Sequence, residues 1–419
     1  MSTRSRVRST SPHGFYGWRM VAIGAIALAA TGPGQTVGIS LFIDPLIADL
    51  GFSRSAISTA YLIGTLIGAF ALPWVGRALD KFGARRTMMA IGFVFGAILI
   101  ALSFVTSIVG LTFGFVGIRM MGQGALTLTA TTMVALWFER RRGFAMGIVT
   151  AIGSLGISST PLLLESLIAS HGWQRAWMIE GFAVWAVVIP LAIFAVRDRP
   201  EALGQQVDGR RKEGEPPRPP ARGATRAQVV RHPFFWLVTC AVAVSGMLAT
   251  AVAFHQISLL TARGLSATEA AANFLPQTIA GLGITMGAGI LMDRFASRWM
   301  IVASMCTLAL ALAWGVVVGP GWSAIGFGMA LGASGSMIRA VEAAALPRAF
   351  GTVHLGSIRG LMTSVSVGGS ALGPLLFAAV FDTVGSYGPV LLATAAIPIA
   401  VAVAALIVRE PELGISRTV

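Results

Sequence analysis

Apolar runs of roughly twenty residues follow one another along this chain, and short loops between them collect most of its charge. From Gly76 to Arg86 the sequence GRALDKFGARR sets four basic residues and one acid between AYLIGTLIGAFALPWV and TMMAIGFVFGAILIALSFV. Core helices of soluble proteins seldom reach twenty unbroken apolar residues, whereas a bilayer core of about 30 Å requires about 20 apolar residues in a helix. No alternating pattern of a membrane barrel is present, so helices are the one way to satisfy the backbone in lipid. The pattern predicts an all-α polytopic membrane protein with twelve spans near 18–43, 53–76, 86–106, 110–137, 143–165, 174–196, 233–260, 269–291, 299–318, 322–346, 356–381 and 385–408.

Composition strengthens this reading. Of 419 residues 55% are hydrophobic and 11% charged, less than half the charged fraction of about 25% usual in soluble domains. The net charge of +14 would suggest nucleic acid in a soluble protein, but here it reports topology. With the N-terminus placed in the cytoplasm and loops assigned alternately, 26 Lys and Arg fall on the cytoplasmic side and 3 on the other. By the positive-inside rule both termini are expected in the cytoplasm of a cell in whose membrane the chain lies. The basic start MSTRSRVRSTSPHGFYGWRM precedes an apolar run too long for a signal peptide, so the first span is expected to be uncleaved. Cys240 and Cys306 lie inside apolar runs and are expected to be buried packing residues.

One long polar stretch, rich in Pro, Gly and Arg, divides six spans from six. The expected organisation is a cytoplasmic tail (1–17), a six-helix bundle (18–196), a disordered linker (197–232), a second six-helix bundle (233–408) and a cytoplasmic tail (409–419). The two bundles repeat. At an offset of 213 residues LDKFGARR lies over MDRFASRW, Asp80 over Asp293, Gly147 over Gly360, Gly156 over Gly369 and Pro161 over Pro374. Parallel repeats of this kind rock about a central site in transporters.

The loop GRALDKFGARR resembles the G-x-x-x-D-[RK]-x-G-x-[RK]-[RK] motif that the major facilitator superfamily carries between its second and third helices. The resemblance covers the whole chain. GFYGWRM and WFERRRGFAMGIVTAIGSLG are further similar to the monocarboxylate transporter and oxalate–formate antiporter branch. It implies the major facilitator fold and a gating loop that steadies the outward-open state. Asp80 is then expected near a helix N-terminus or Arg140, Gly76 and Gly83 at close helix approaches, and Asp293 as the weaker second copy.

Charges inside spans are functional candidates. Arg119 lies about nine residues into the fourth span, roughly 13 Å deep, and Arg119, Gln123, Thr127 and Thr131 recur every four residues as one polar stripe. Arg119 is expected either to anchor an anionic substrate or to hold helices together. Arg339 and Glu342 share a face of the tenth span, as a neutralised pair or as a proton-coupling pair. Gln35, Tyr61, His255, Asn273 and Gln277 are candidate hydrogen-bonding groups for substrate, or satisfied contacts between helices. Asp44, Glu165, Glu180 and Asp382 are expected at outer helix ends, marking the interface. The branch's basic residue in the eighth span is absent from EAAANFLPQTIAGLGITMGAGILM, which leaves the substrate charge to Arg119.

No P-loop lysine, G-x-S-x-G elbow or metal-spaced His/Cys cluster appears, so an enzyme, a cofactor and a metal site are not expected. The expected function is secondary active transport of a small, monocarboxylate-like organic anion by a monomer, by proton symport or exchange, with no nucleic-acid partner. A carrier of a neutral, vitamin-like solute such as riboflavin and a drug exporter are the alternatives.

Overall fold

The computed structural model describes residues 15–139, 141–209, 224–294, 296–351 and 355–411, with backbone alone at 226, 288–294 and 355–357. Helix dominates, and no extended strand occurs among the described residues. Eight helices there are long and apolar enough to cross a membrane, and Gly17–Ala29 is a shorter apolar helix. Two of the eight, Arg54–Leu102 and Arg142–Ala195, each contain a glycine in the left-handed region, Gly83 at φ 80° and Gly172 at φ 81°. Side chains with a Cβ avoid that region, and glycine enters it freely.

The chain doubles back at both glycines. Along 54–82, Gly64, Gly68 and Leu72 meet Phe115, Met120 and Gly124 in rising order. Along 84–102, Phe95, Ile98 and Leu102 meet Gly122, Gly117 and Gly114 in falling order, so the two stretches run antiparallel. Gly153 and Gly156 follow Leu28 and Ala29 in the same direction, while Gly181 and Val188 pass Gly96 and Gly92 in the opposite one. We therefore label α1 (Gly17–Ala29, continued by the broken run Gly32–Gly34, Thr36–Ile39, Ser40–Phe42 and Ile43–Leu50), α2 (54–82) and α3 (84–102). Helix α4 comprises Ile108–Ile118, a wide-turned stretch Arg119–Leu126 and Thr127–Trp137; α5 is 142–171 and α6 is 173–195. The second half holds α7 (Pro233–Thr261), α8 (Phe274–Arg294), α9 (Ser297–Gly315), α10 (Trp322–Phe350), α11 (Leu355–Val384) and α12 (Gly388–Ile407).

The repeat read from sequence is a repeat of packing. Helix α1 lies on α5 as α7 lies on α11, and α3 on α6 as α9 on α12. Gly156 sits against Ala29, and its counterpart Gly369 against Ala243; Gly68 meets α4, and its counterpart Gly281 meets α10. Lipid tails are as apolar as leucine, so helices associate here through close packing of small residues. The outer surface is correspondingly apolar, with Phe70, Phe113, Phe194, Trp322 and Ile407 exposed. Cys240 and Cys306 belong to that exposed surface and are not packed inside the bundle.

The ends of the 197–232 segment are ordered, which narrows the expected disordered linker; 210–223 lie outside the described residues. Trp137 donates to the Arg197 carbonyl, Tyr16 donates its N–H to Gln205 and its hydroxyl to the Ala195 carbonyl, and Val229 is buried. Phe15, Tyr16 and Trp18 pack around Trp137, Phe138 and Phe144 at centroid distances of 5.1–6.1 Å. The two stretches that resemble the monocarboxylate branch thus form one aromatic cluster at one end of the first half.

Candidate functional site

A cavity of about 880 Å³ lies between the halves. It reaches from Gln35, Gln256 and Gln277 toward Met146, Val242 and Ala343, which lie on the side of the bundle that carries Gly83. The opposite end, which carries Gly172, is closed by contacts between halves. Arg54 lies over the Phe381 ring at 4.9 Å and is paired with Asp44 at 2.6 Å; Asp382 accepts from the Ser55 N–H at 3.0 Å. Thr268 donates to Glu165 at 2.9 Å, Tyr61 packs on Phe254 at 4.6 Å, and Ser158 and Thr278 share a short hydrogen bond. Asp44, Glu165 and Asp382 therefore do more than mark an interface.

Asp382 meets the N-terminus of α2, where the unpaired amides carry partial positive charge. Removing it in Asp382→Ala is expected to raise the population open at the Gly172 end about two- to fivefold, the effect of one charge at a helix terminus. Distances between spin labels on the first turn of α2 and the last of α11 would read this. An unchanged distribution would show that the contact does not hold that end shut.

The first half lines the cavity with neutral groups and the second half supplies its charge. Thr150, Ser154 and Ser158 recur every four residues down α5, and Gln35 and Thr36 come from the break in α1. The facing wall offers Gln256, Gln277, Ser336, Arg339, Glu342 and Ser366. Arg339 is exposed to the cavity and donates from Nη2 to Ser336 Oγ at 2.6 Å, one turn back along α10. Among the described residues it makes no ion pair within 4.0 Å of Glu342, although the two charges, one turn apart on α10, still act on each other.

Arg119 is elsewhere. It is 6% exposed, does not line the cavity, and stands behind the break in α1. Its Nε donates to Thr65 Oγ1 at 3.0 Å and its Nη1 to the Gly34 carbonyl and Thr36 Oγ1, each at 3.4 Å. The guanidinium lies 4.7 Å from the Tyr61 ring centre, and Tyr61 and Thr36 share a 2.6 Å hydrogen bond. The local sequence explains the arrangement. Gly32-Pro33-Gly34 breaks α1, since Pro33 has no N–H to give a helix, and frees the Gly34 carbonyl for Arg119. Gly34 crosses α4 so closely that a Cβ there would lie 2.5 Å from the Ile118 carbonyl oxygen.

Of the remaining candidates, Gln35 and Gln277 line the cavity. Gln277 donates to Gln256 at 2.8 Å, Gln256 to Asn273 at 3.2 Å, and Asn273 to the Ala324 carbonyl at 2.6 Å, with Asn273 buried outside the cavity. His255 is buried against the Pro374 carbonyl and Tyr387, and Tyr61 beneath Arg119. Gln123 and Thr127 stay on α4 away from the cavity, each with a buried side-chain oxygen that has no partner. Sequence reading missed Thr36, Thr150, Ser154, Ser158, Ser336 and Ser366. The four-residue spacing on α5 was the available signal, of the same kind that drew attention to Arg119.

At the Gly83 loop, Asp198 from the end of α6 caps α3, accepting from the Arg85 N–H at 2.9 Å. A Cβ on Gly83 would lie 2.7 Å from that carboxylate. Asp80 is exposed and makes no contact of this kind among the described residues. A Cβ on Gly76 would meet nothing within 4 Å, so Gly76 is not at a close helix approach here. Arg140 and the side chain of Asp293 lie outside the described residues.

The family model described as Major Facilitator Superfamily matches residues 24–289. The "Probable sulfoacetate transporter SauU" of Cupriavidus necator is 27% identical over 57% of this chain and 58% of its own length. "Monocarboxylate transporter 13" of Bos taurus is 26% identical over 91% of this chain and 86% of its own, and the "Oxalate:formate antiporter" of Oxalobacter formigenes 28% identical over 41% of each. The chain thus spans about half the length of several curated relatives it matches. Among solved structures, a bacterial homologue of the human lysosomal transporter Spinster, in an inward-facing and unoccupied conformation, superposes with a TM-score of 0.67 at 15% identity over 94% of this chain and 96% of that one.

Proposed function

The chain belongs to the major facilitator superfamily, and we propose that it carries a small organic anion across the cytoplasmic membrane by rocking its two halves about the cavity between them. One observation carries the choice of solute: Arg339 brings a guanidinium into that cavity whose hydrogen-bonded partner, Ser336, is neutral. A guanidinium holds a carboxylate or sulfonate through two parallel charge-assisted hydrogen bonds. The relatives, which include monocarboxylate, probable sulfoacetate and oxalate:formate transporters by name, support the same class. Glu342, one turn further along α10, is the candidate proton carrier.

With twelve spans and both termini in the cytoplasm, as the 26-to-3 division of basic residues supports, the cavity faces the cytoplasm. Asp80 is then the gating candidate, released in this conformation and engaged in the opposite one. A thermal-shift screen of the purified full-length protein tests the solute class against carboxylates, sulfonates, riboflavin-like neutral solutes and cationic drugs. A specific anion present at 100 times its Kd is expected to stabilise the protein by about 2.7 kcal/mol. Stabilisation by neutral or cationic compounds, with none by anions, would overturn the anion reading.

A further inference from the structure

Glu180 lies in α6, about 10 Å along the helix from Trp173. The sequence places it with the acids that mark the outer interface, but it is buried, 6% exposed, and neither carboxyl oxygen has a hydrogen-bond partner among the described residues. It belongs to the inward face of α6 with Trp173, Trp177, Gly181 and Val184. Trp177, one turn nearer the Gly172 end, stacks on Phe42 of α1 at 4.3 Å and meets Trp173 edge-on at 5.4 Å. These rings stand between the carboxyl and that end of the bundle.

Among the described residues no cation is paired with it, and Arg175, the basic residue of α6 itself, is exposed. Helix α3, which meets α6 at Gly181, carries no charged residue from Thr87 to Leu102. On α1, Asp44 is paired with Arg54, and Asp49 accepts from Trp173 and Gln174. On α5, Glu165 accepts from Thr268 and His171 is bonded to Ser170. Arg119 is engaged with Thr65, Thr36 and Gly34 on the other side of α1. Burying an ionised carboxylate without a partner is costly, and such a group takes up a proton instead.

We propose that Glu180 is a proton-binding site of the first half, occupied in this conformation and emptied when the outer part of α1 moves off α6. The same short run of α1 touches both sites. Gln35, Thr36 and Val37 line the cavity, and Phe42 covers Trp177. The breaks at Gly32–Gly34 and Ser40–Phe42 let that run shift without carrying the whole helix. Water that follows the shift stabilises the charged carboxylate, so loss of the proton favours the conformation open at the Gly172 end.

Two measurements on the full-length protein test this without any solute, so their failure is separable from failure of the organic-anion reading. Infrared spectra at about pH 8, where a solvated glutamate is ionised, should show a protonated carboxyl C=O band that Glu180→Gln removes. Spin-label distances across the Gly172 end, in a background with Cys240 and Cys306 replaced by serine, should shift toward the open form as pH rises. The limit for one proton is about tenfold per pH unit. Glu180→Gln, the neutral isostere, should hold the closed form at every pH; Glu180→Leu gives the same expectation should the glutamine variant not accumulate. Absence of the band, absence of the shift, or a shift that the variants share with the wild type overturns the proposal.

Discussion

Arg339→Gln is expected to weaken binding of the transported anion by about 30-fold or more while the protein still folds and reaches the membrane. Truncating one partner of a desolvated, hydrogen-bonded charge pair costs about 2–5 kcal/mol, and each 1.4 kcal/mol is tenfold. An anion enclosed against Arg339 would form such a pair. Arg339 faces the cavity, and its bonded partner Ser336 is neutral. Arg339→Lys should retain part of the affinity, because an ammonium keeps the charge and loses the planar fork. Arg119→Gln is the informative contrast. It removes hydrogen bonds to Thr65, Thr36 and Gly34 behind the cavity wall, so it should lower the melting temperature and leave affinity within a few-fold. Binding measured by calorimetry on all three variants separates these outcomes. Unchanged affinity in well-folded Arg339→Gln would remove the main physical support for an anionic solute, and loss in Arg119→Gln alone would move the anchor to α4.

Gly332→Val is expected to abolish the folded protein. At this position α10 crosses α8 backbone to backbone, and even a single Cβ would be driven into the Gln277 carbonyl. Overpacking in a core costs typically about 1–3 kcal/mol when side chains can rotate away. Here the obstacle is main chain, held in a helix on both sides, so relief requires the helices to separate. Separation would also pull Gln277 from Gln256 and so disturb the cavity wall. Gly76→Ala provides the control, since a Cβ there meets nothing within 4 Å. The yield of monodisperse protein after detergent extraction reads both: near zero for Gly332→Val and near wild type for Gly76→Ala. Normal yield of Gly332→Val would show that the α8–α10 crossing is looser than described.

Much of this architecture is legible in the chain alone, because lipid imposes a rule that is local in sequence. A span must be helical and apolar for about 20 residues, and its flanking charges sort by side, so helices, their order and a two-fold repeat follow from counting. Gly83 and its companion charges could be placed at a turn for the same reason. The 213-residue offset predicted which helices correspond, and the packing of Gly156 on Ala29 and Gly369 on Ala243 agrees with it.

What sequence could not supply is the direction in which a polar side chain points once twelve helical segments have packed. Arg119, Gln123 and Thr127 recur at helical spacing on α4, yet none lines the cavity, and Arg119 is held by α1 and α2 where a glycine–proline–glycine break brings the α1 backbone across α4. Arg339 and Glu342 share a face by spacing, but the hydrogen bond of the guanidinium goes to the Ser336 hydroxyl. Glu180 reads as an interface acid by its position near a span's beginning, and only the packed helices show it buried, one turn from the Trp177 ring that stacks on Phe42. Periodicity fixes which residues share a side of a helix; which side meets water, lipid or another helix is decided by neighbours far away in sequence, at the few glycine crossings close enough to choose them.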